Sequence, residues 1–477
     1  MTVITTPPPA PPTQRRAAFG LAIVLTAQLM LILDMTVVNV ALPLLRVDLG
    51  FSAANLSWVL NAYALAFGGL LLFGGRLGDV IGRLRTFELG IGLFSVASLL
   101  GGLAQSPAML IASRALQGVG AAIAAPSVLA LITAGAPDEA TRNRGLALFS
   151  AVSSAGASIG LILGGALTGF ASWRWALIIN VPIGIMAVVL IRRFVPETSR
   201  ERGRFDVLGA ITATAGSVAL VYGFINAADH RWLSFGTVTA FAAAAVLLGA
   251  FASIERRARQ PLLEPSLLRA RSRVAALVTM TVIIGAQFSL FFLMVQFMQR
   301  TLGLGAFESG LAFLPLSLAI FGISRVTPRL VARFSPWPLI AAGATLGLIS
   351  LVWLRELTDA STYWADMAAP LLINGIGAGL VFMPITVVAL TGVEDRHAGT
   401  ASGLLQTTQQ IGGALGLAVI VTVYASYSVP GEFTPGLREA LDTGSILALL
   451  AVLIAGTMAV LGRRPARARE VVSASAE

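Results

Sequence analysis

Long apolar stretches alternate with short segments rich in arginine, glycine and proline along almost the whole chain. About 20 consecutive apolar residues cross a bilayer as a helix, and none of these stretches has the alternating pattern of barrel strands. The pattern therefore predicts an all-α integral membrane protein with fourteen transmembrane helices. The predicted helices cover residues 17–43, 57–74, 86–104, 107–133, 145–169, 174–195, 206–227, 235–254, 273–299, 308–326, 338–354, 365–391, 399–424 and 443–462.

Composition agrees with this pattern, because 56% of the residues are hydrophobic and 12% are charged, whereas about a quarter of a soluble protein is charged. The net charge of +10 comes from arginines in the gaps between apolar stretches. A nucleic-acid surface gathers basic residues on one solvated face with aromatic side chains, so no nucleic-acid partner is predicted. Cysteine is absent, which excludes disulfides and thiolate metal sites, and no metal or cofactor is predicted.

The arginines give a separate test of topology, because cytoplasmic loops of membrane proteins are enriched in positive charge. With fourteen helices, 26 of the 33 arginines fall on the side of the termini and six on the opposite side. We therefore expect a multi-pass protein of the cell (inner, cytoplasmic) membrane with both termini cytoplasmic. The expected organisation is a disordered tail (1–16), a six-helix bundle (17–195), a two-helix linker insertion (196–272), a second six-helix bundle (273–462) and a cytoplasmic tail (463–477).

One acidic residue, Asp34, lies deep in the first predicted helix, nine residues before Pro43, where we expect that helix to end. A charge at the bilayer centre costs roughly 2.5–3.5 kcal/mol on insertion scales and is a functional hypothesis by default. Arg114 lies at a similar predicted depth in the fourth helix, roughly 10 Å from the same surface against 13 Å for Asp34. The pair predicts a proton-binding carboxylate whose proton affinity depends on the arginine, or else a static ion pair that joins two helices.

Four sequence motifs resemble those of one family. They are Leu33–Pro43, Gly75–Arg83 after the second helix, Arg114–Ala122 in the fourth helix and Gly403–Ala414 in the thirteenth. Together they resemble the fourteen-helix drug/proton antiporter branch of the major facilitator superfamily over nearly the whole chain. The chain departs from that branch at Gly160-Leu161, where a Gly-Pro pair is usual.

This resemblance implies two six-helix bundles plus two linker helices and proton-coupled efflux of small amphipathic compounds by alternating access. It implies proton coupling at Asp34 and a cytoplasmic latch made of Gly75, Asp79, Gly82 and Arg83 in a tight turn. A turn that only sets topology is the alternative for the latch. The expected energy source is the proton motive force, and the expected partners are an amphipathic substrate, protons and the lipid bilayer, with a monomeric protein.

Polar, aromatic and methionine side chains inside the predicted helices are candidates for a substrate cavity. Helix–helix packing is favoured for Asn39 and, together with lipid contact, for the candidates on the ninth and thirteenth helices. Packing is the alternative for Gln117, and the roles of Asn61 and Tyr63 are open. Gly156, Gly160 and Gly164, with Gly165, predict a smooth ridge for close helix packing. The cavity candidates are Asn39, Gln117, Asn61, Tyr63, Gln287, Phe291, Gln406 and Gln409.

Two other functions compete with efflux. Proton-coupled uptake of a small metabolite uses the same fold, which does not decide the direction of transport. An intramembrane enzyme needs a nucleophile with a base, or metal ligands, and the two histidines of the chain, His230 and His397, are predicted in loops on opposite sides. The sequence therefore predicts a transporter and not an enzyme.

Overall fold

A computed structural model describes residues 14–52, 55–134, 138–195, 197, 206–230, 232–258, 265–393, 398–429 and 432–462. The predicted tails beyond these limits and His397 lie outside the described residues. We number the long helices in chain order. They are α1 Gln14–Leu49, α2 Trp58–Ile81, α3 Arg83–Gly102, α4 Pro107–Ala134, α5 Glu139–Phe170, α6 Trp175–Phe194, α7 Val207–His230, α8 Phe235–Arg257, α9 Arg271–Arg300, α10 Ala306–Arg333, α11 Pro336–Leu354, α12 Tyr363–Leu390, α13 Ala398–Tyr427 and α14 Thr434–Gly462.

Among the described residues, thirteen helices are long and apolar enough to cross a membrane. The remaining predicted span, 145–169, lies within α5, a helix of 32 residues. The described apolar part of α5 is Ile159–Phe170. The predicted all-α membrane fold is therefore confirmed, with a helix at each of the fourteen predicted positions.

Helix ends differ from the prediction where charged residues pair with each other. Helix α14 begins at Thr434, nine residues before the predicted start at 443. Its first turns are polar, and Asp442 there forms an ion pair with Arg355, with 3.1 Å between Oδ1 of Asp442 and Nη1 of Arg355. Hydropathy alone misses such turns because the paired charges extend a helix beyond its apolar part. His230, which was predicted in a loop, is the last residue of α7.

The expected end of the first helix at Pro43 is wrong, because α1 continues through Pro43 to Leu49. Proline removes one backbone hydrogen bond and disturbs the turn before it. Neighbouring helices make this tolerable in a membrane protein, and both Leu42 and Leu45, on either side of Pro43, are buried in a shared core. Packing on the flanking turns therefore outweighs the missing hydrogen bond.

Two separate hydrophobic cores lie toward the membrane face at which α1 begins and α14 ends, which we call the terminal face. The core of the first bundle, α1–α6, includes Met30, Phe87 and Leu131. The core of the second bundle, α9–α14, includes Met280 and Ile385. Neither cluster contains a described residue of the other bundle.

A third core lies toward the opposite face, which we call the far face, and it joins both bundles. It includes Leu42 and Leu45 of α1 together with Phe297 of α9, Leu316 of α10 and Val421 of α13. The bundles thus share a core at the far face and have separate cores toward the terminal face. This arrangement indicates a conformation closed at the far face and open toward the terminal face.

Two helix pairs form most of the contact between the bundles. Helix α2 packs on α13, where the hydroxyl of Thr407 donates to the carbonyl of Gly68 at 2.9 Å. Helix α5 packs on the start of α10, and a methyl group on Gly165 would lie 2.7 Å from the carbonyl oxygen of Ala306. The linker helix α7 covers the first pair, because Thr422 of α13 donates to the carbonyl of Phe224 at 2.8 Å.

The predicted glycine ridge on α5 packs against α1. Cβ atoms built on Gly156 and Gly160 would meet side chains of α1, and one on Gly164 would lie 2.6 Å from Cα of Val37. Such closeness lets two helix backbones approach where any side chain would separate them. The expectation of a packing surface therefore agrees with the geometry, while Gly165 alone of the four contacts the second bundle.

Substituting Gly164 by alanine is expected to lower the thermal stability of the detergent-solubilised protein. Overpacking of this kind costs about 1–3 kcal/mol, because the backbone of Val37 cannot move aside as a flexible side chain would. Gly92→Ala is the matched control, since Gly92 lies in α3 with nothing within 4 Å of an added Cβ. Thermal unfolding followed by circular dichroism measures both, and equal unfolding temperatures for the two variants would contradict the assigned contact.

Candidate functional site

The only membrane-embedded ion pair between helices near mid-membrane in the described chain joins Asp34 of α1 to Arg114 of α4. The Arg114 guanidinium donates through Nη1 to Oδ2 of Asp34. It also donates through Nε to the carbonyl of Val59 in α2, at 2.9 Å. Both side chains are about 1% exposed. The expectation that the two residues lie at equal depth therefore agrees with the structure, although α1 ends six residues later than expected.

Two amide side chains bind the other carboxylate oxygen. Gln117 Nε2 donates to Asp34 Oδ1 at 2.9 Å, and Asn180 Nδ2 of α6 donates to the same oxygen at 2.8 Å. Gln117 also donates to Oγ of Ser98 in α3 at 2.7 Å and accepts from Arg114 at 2.8 Å. The carboxylate thus links α1, α4 and α6 directly and reaches α3 through Gln117.

Sequence reasoning missed Ser98 and assigned no role to Asn180. The local signal for Asn180 was the segment Trp173-Arg174 shortly before it. Trp173 Nε1 and Arg174 Nη1 each donate to Asp48 Oδ2 at 2.8 Å, which fixes the start of α6 against the end of α1. A polar residue one turn inside α6 is therefore held at the depth of the α1 carboxylate.

Three donors approach the carboxylate, two at Oδ1 and one at Oδ2, so most of its acceptor sites are used. Its charge is the counter-charge of Arg114, and a buried charge left without its partner is costly. Asp34 and Arg114 therefore depend on each other for their burial.

Tyr63 and Asn61 are buried and do not line an open cavity in this conformation. The Arg114 guanidinium lies over the Tyr63 ring, 4.6 Å from its centroid. The Tyr63 hydroxyl and both amide atoms of Asn61 have no hydrogen-bond partner among the described residues. Gln117, which is 0% exposed, likewise belongs to the ionic cluster. Asn39 is 7% exposed and its Oδ1 has no partner in the described chain.

The cavity candidates Gln287 and Phe291 lie on α9 at helical spacing with Met294 and Met298. Met294 and Met298 are 0% exposed and belong to the shared core, so packing accounts for them. Phe291 packs against Phe313 with 5.1 Å between ring centroids. Gln287 faces a small cavity of about 30 Å³ within the second bundle, together with Asn374 of α12.

Helix α13 places its glutamines beside the interface with α2. Gln406 is exposed and Gln409 is half-buried. Gln410, one residue further along, points Nε2 at the sulfur of Met35 in α1, at 3.8 Å. The first bundle therefore touches the second bundle one residue after Asp34.

The predicted latch is a single-residue break between helices and not an extended loop. Gly75 and Asp79 lie inside α2, which ends at Ile81, and α3 begins at Arg83. Gly82 has a φ of 104°, which only glycine adopts readily. Asp79 pairs with Arg83 one turn later, and both charged residues lie in helical turns at the membrane surface. The backbone of Leu84 donates to Glu197 of the linker at 3.0 Å.

Comparison with known proteins agrees with this architecture. A family model described as Major Facilitator Superfamily matches residues 24–417. The cephamycin export protein CmcT of Amycolatopsis lactamdurans is 40% identical over 415 residues, which cover 86% of this chain and 85% of that protein. The puromycin resistance protein pur8 of Streptomyces alboniger is 38% identical over 413 residues, which cover 86% of this chain and 82% of that protein.

A solved structure shares the fold at low sequence identity. It is a bacterial homologue of the human lysosomal transporter Spinster in an inward-facing, unoccupied conformation, with a TM-score of 0.67 and 16% identity, covering 94% of this chain and 98% of that one. The family model spans most of the chain, and the matched regions cover more than four fifths of both curated relatives. The chain therefore belongs to the Major Facilitator Superfamily and is a multi-pass membrane transporter of small molecules.

Proposed function

We propose that this protein exports small amphipathic molecules from the cytoplasm in exchange for protons. The observation that carries the proposal is the sealed cluster in which Asp34 is held by Arg114, Gln117 and Asn180. A buried carboxylate with a movable counter-charge is a proton-binding site whose affinity changes with conformation. The printed names of the relatives, a cephamycin export protein and a puromycin resistance protein, support export of antibiotic-like compounds.

The orientation follows from the arginines. Most of them lie on the terminal face, which we assign to the cytoplasm of a cell with the protein in its inner membrane. The conformation open toward the terminal face then accepts substrate from the cytoplasm or the inner leaflet. Release follows when the shared core at the far face separates and the bundles close at the cytoplasmic side.

Helix α1 couples the proton to this movement. It carries Asp34 and, one residue later, Met35, which contacts Gln410 of the second bundle. Further along, the carbonyl of Val40 accepts from Gln299 of α9 at 3.0 Å. Protonation of Asp34 removes the charge that holds Arg114, so the position of α1 against its own bundle, and with it these contacts with the other bundle, depends on the proton.

The exposed face of α13 is the proposed substrate surface in this conformation. Gln406 and Gln409 lie there, beside the contact between Met35 and Gln410, on a helix that also carries Leu404, Leu405 and Ile411. Amides among apolar groups suit ligands that are amphipathic and chemically varied.

Asp34→Asn is expected to abolish proton release when substrate is added, while substrate still binds. Asparagine keeps the shape of the side chain and removes the group that titrates. Puromycin and ethidium serve as probes, with proton release measured by a pH-sensitive dye in weakly buffered detergent solution. Proton release at the wild-type level from Asp34→Asn would refute the mechanism.

A folding control is needed because Asp34→Asn leaves Arg114 buried without its counter-charge, which costs several kcal/mol. The double variant Asp34→Asn with Arg114→Gln removes both charges. We expect it to be more stable than the single variant and equally unable to release protons. Recovery of proton release in the double variant would show that a group other than Asp34 releases the proton.

Asn180→Leu is expected to lower the thermal stability of the detergent-solubilised protein, because it removes one donor to the buried carboxylate of Asp34. A hydrogen bond to a charged group contributes about 1.5–3 kcal/mol. Asn374→Leu is the control, since it removes a buried amide of the second bundle whose Oδ1 has no partner among the described residues. Thermal unfolding followed by circular dichroism measures both variants, and an equal change in the two would contradict the assigned contact.

Transport direction separates export from uptake. In inverted membrane vesicles acidified inside by respiration, we expect ethidium to accumulate in the lumen and to leave when nigericin collapses the pH gradient. An antiporter exchanges outgoing protons for incoming dye, whereas a symporter would carry dye out with the protons. Depletion of ethidium from an acidic lumen would support uptake and exclude export.

A further inference from the structure

Two arginines from different bundles meet in one cleft on the far face. The cleft has a volume of about 390 Å³ and is lined by the ends of α1 and α9 and by the start of α10. Arg46 of α1 and Arg300 of α9 both line it, and their charges act on each other. Tyr424 of α13 lies within electrostatic reach of both. The cleft therefore concentrates positive charge where the two bundles touch.

Neither arginine has a carboxylate partner within the described chain. Glu308, three residues after Gly305 of the cleft lining, accepts from the backbone of Gly305 at 2.9 Å, and Asp48 of α1 pairs with Arg174. Arg300 lies over the ring of Phe433, 5.7 Å from its centroid, which does not neutralise its charge. Two like charges in one cleft without a counter-charge repel each other.

The other described arginines of the far face are paired. Arg174 binds Asp48 at 2.8 Å, Arg355 binds Asp442 at 3.1 Å, and Arg438 lies 3.9 Å from Glu356. The arginines of this face are therefore not left unpaired as a rule. Arg46 and Arg300 differ from the others, and they lie at the junction between the bundles, where a bound anion would contact both bundles.

The apolar residues that line one side of the cleft indicate which kind of anion binds there. Pro43, Leu44 and Val47 line it beside Arg46, and Leu44 and Val47 are 43% and 82% exposed. Arginine binds phosphate oxygens through paired N–H groups, and exposed aliphatic side chains at this depth face acyl chains. Phosphate beside hydrocarbon is the chemistry of a phospholipid and not of a free ion.

We propose that the cleft between Arg46 and Arg300 binds the phosphate group of an anionic phospholipid from the far leaflet, and that this lipid holds the far face closed. With the phosphate bound, one anion bridges α1 and α9. Without it, the repulsion between the two guanidinium groups favours separation of the bundles. The inference rests on the alternating movement of the proposed function, but it does not depend on Asp34 or on the identity of the substrate.

The test measures the opening of the far face in nanodiscs of defined lipid. The chain contains no cysteine, so spin labels at Leu103→Cys and Trp364→Cys report the distance between the bundles by double electron–electron resonance. These positions are 54% and 82% exposed and do not line the cleft. The lipids are phosphatidylcholine with rising fractions of phosphatidylglycerol, and a parallel series adds inorganic phosphate to pure phosphatidylcholine.

We expect phosphatidylglycerol to raise the closed population of the wild-type far face, and the double variant Arg46→Gln with Arg300→Gln to need about tenfold more of it. Arg438→Gln, which removes one charge from the same face outside the cleft, should respond like the wild type. The proposal would be overturned if phosphatidylglycerol closed the far face of the double variant as readily as that of the wild type. It would also be overturned if phosphatidylglycerol did not change the closed population of the wild type. Closure by inorganic phosphate alone would overturn the assignment to a lipid.

The distance measurement separates this proposal from the proposed function. Loss of proton release in Asp34→Asn concerns transport, whereas lipid-dependent closure is read without substrate or a proton gradient. If Asp34→Asn releases protons normally and the lipid response is as expected, the result supports the lipid site and contradicts the coupling mechanism. If Asp34→Asn releases no protons and phosphatidylglycerol does not close the far face, the result contradicts the lipid site only.

Discussion

The bond between Asp34 and Arg114 is the constraint on which the rest of the site depends. Two charges inside a membrane protein persist only when nearly all of their hydrogen-bonding capacity is used. The chain meets this requirement with donors from two further residues, Gln117 and Asn180, and with the backbone carbonyl of Val59 as an acceptor. Four helices are therefore held in register by one carboxylate and its partner.

The second bundle repeats this position without charge. Gln117 precedes Gly118, which packs closely against the backbone of α2, and Asn374 precedes Gly375, which packs in the same way against α10. Around Asn374 the structure has a small cavity in place of an ion pair, lined by Gln287, Ala286 and Gly347. Asn374 Oδ1 and Gln287 Nε2 have no partner among the described residues, which suits a bridging water. Among the described residues, this position therefore carries charge in the first bundle only.

Sequence reasoning predicted the helices and the Asp34–Arg114 layer because membrane thickness and the cost of charge act on single residues. It did not predict Ser98 and Asn180, since a serine or an asparagine in a helix carries no signal of what lies opposite. It also misplaced the ends of helices at Pro43 and Gly75. Hydropathy marks where apolar residues end, whereas a helix ends where its backbone loses hydrogen bonds. Charged residues that pair with each other, such as Asp79 and Arg83, therefore lie in helical turns beyond the apolar part.

Helix α1 brings the separate parts of the molecule into one mechanical element. Asp34, the contact of Met35 with the second bundle, and Arg46 at the far-face cleft all lie on it, within about 18 Å at 1.5 Å per residue. Pro43 lies between Asp34 and Arg46, and the missing hydrogen bond there makes bending easiest at that turn. A shift of α1 on protonation therefore acts directly on the contact at Met35. Its effect on Arg46 depends on how far Pro43 bends, so the mid-membrane site and the far-face cleft can move together without being rigidly joined.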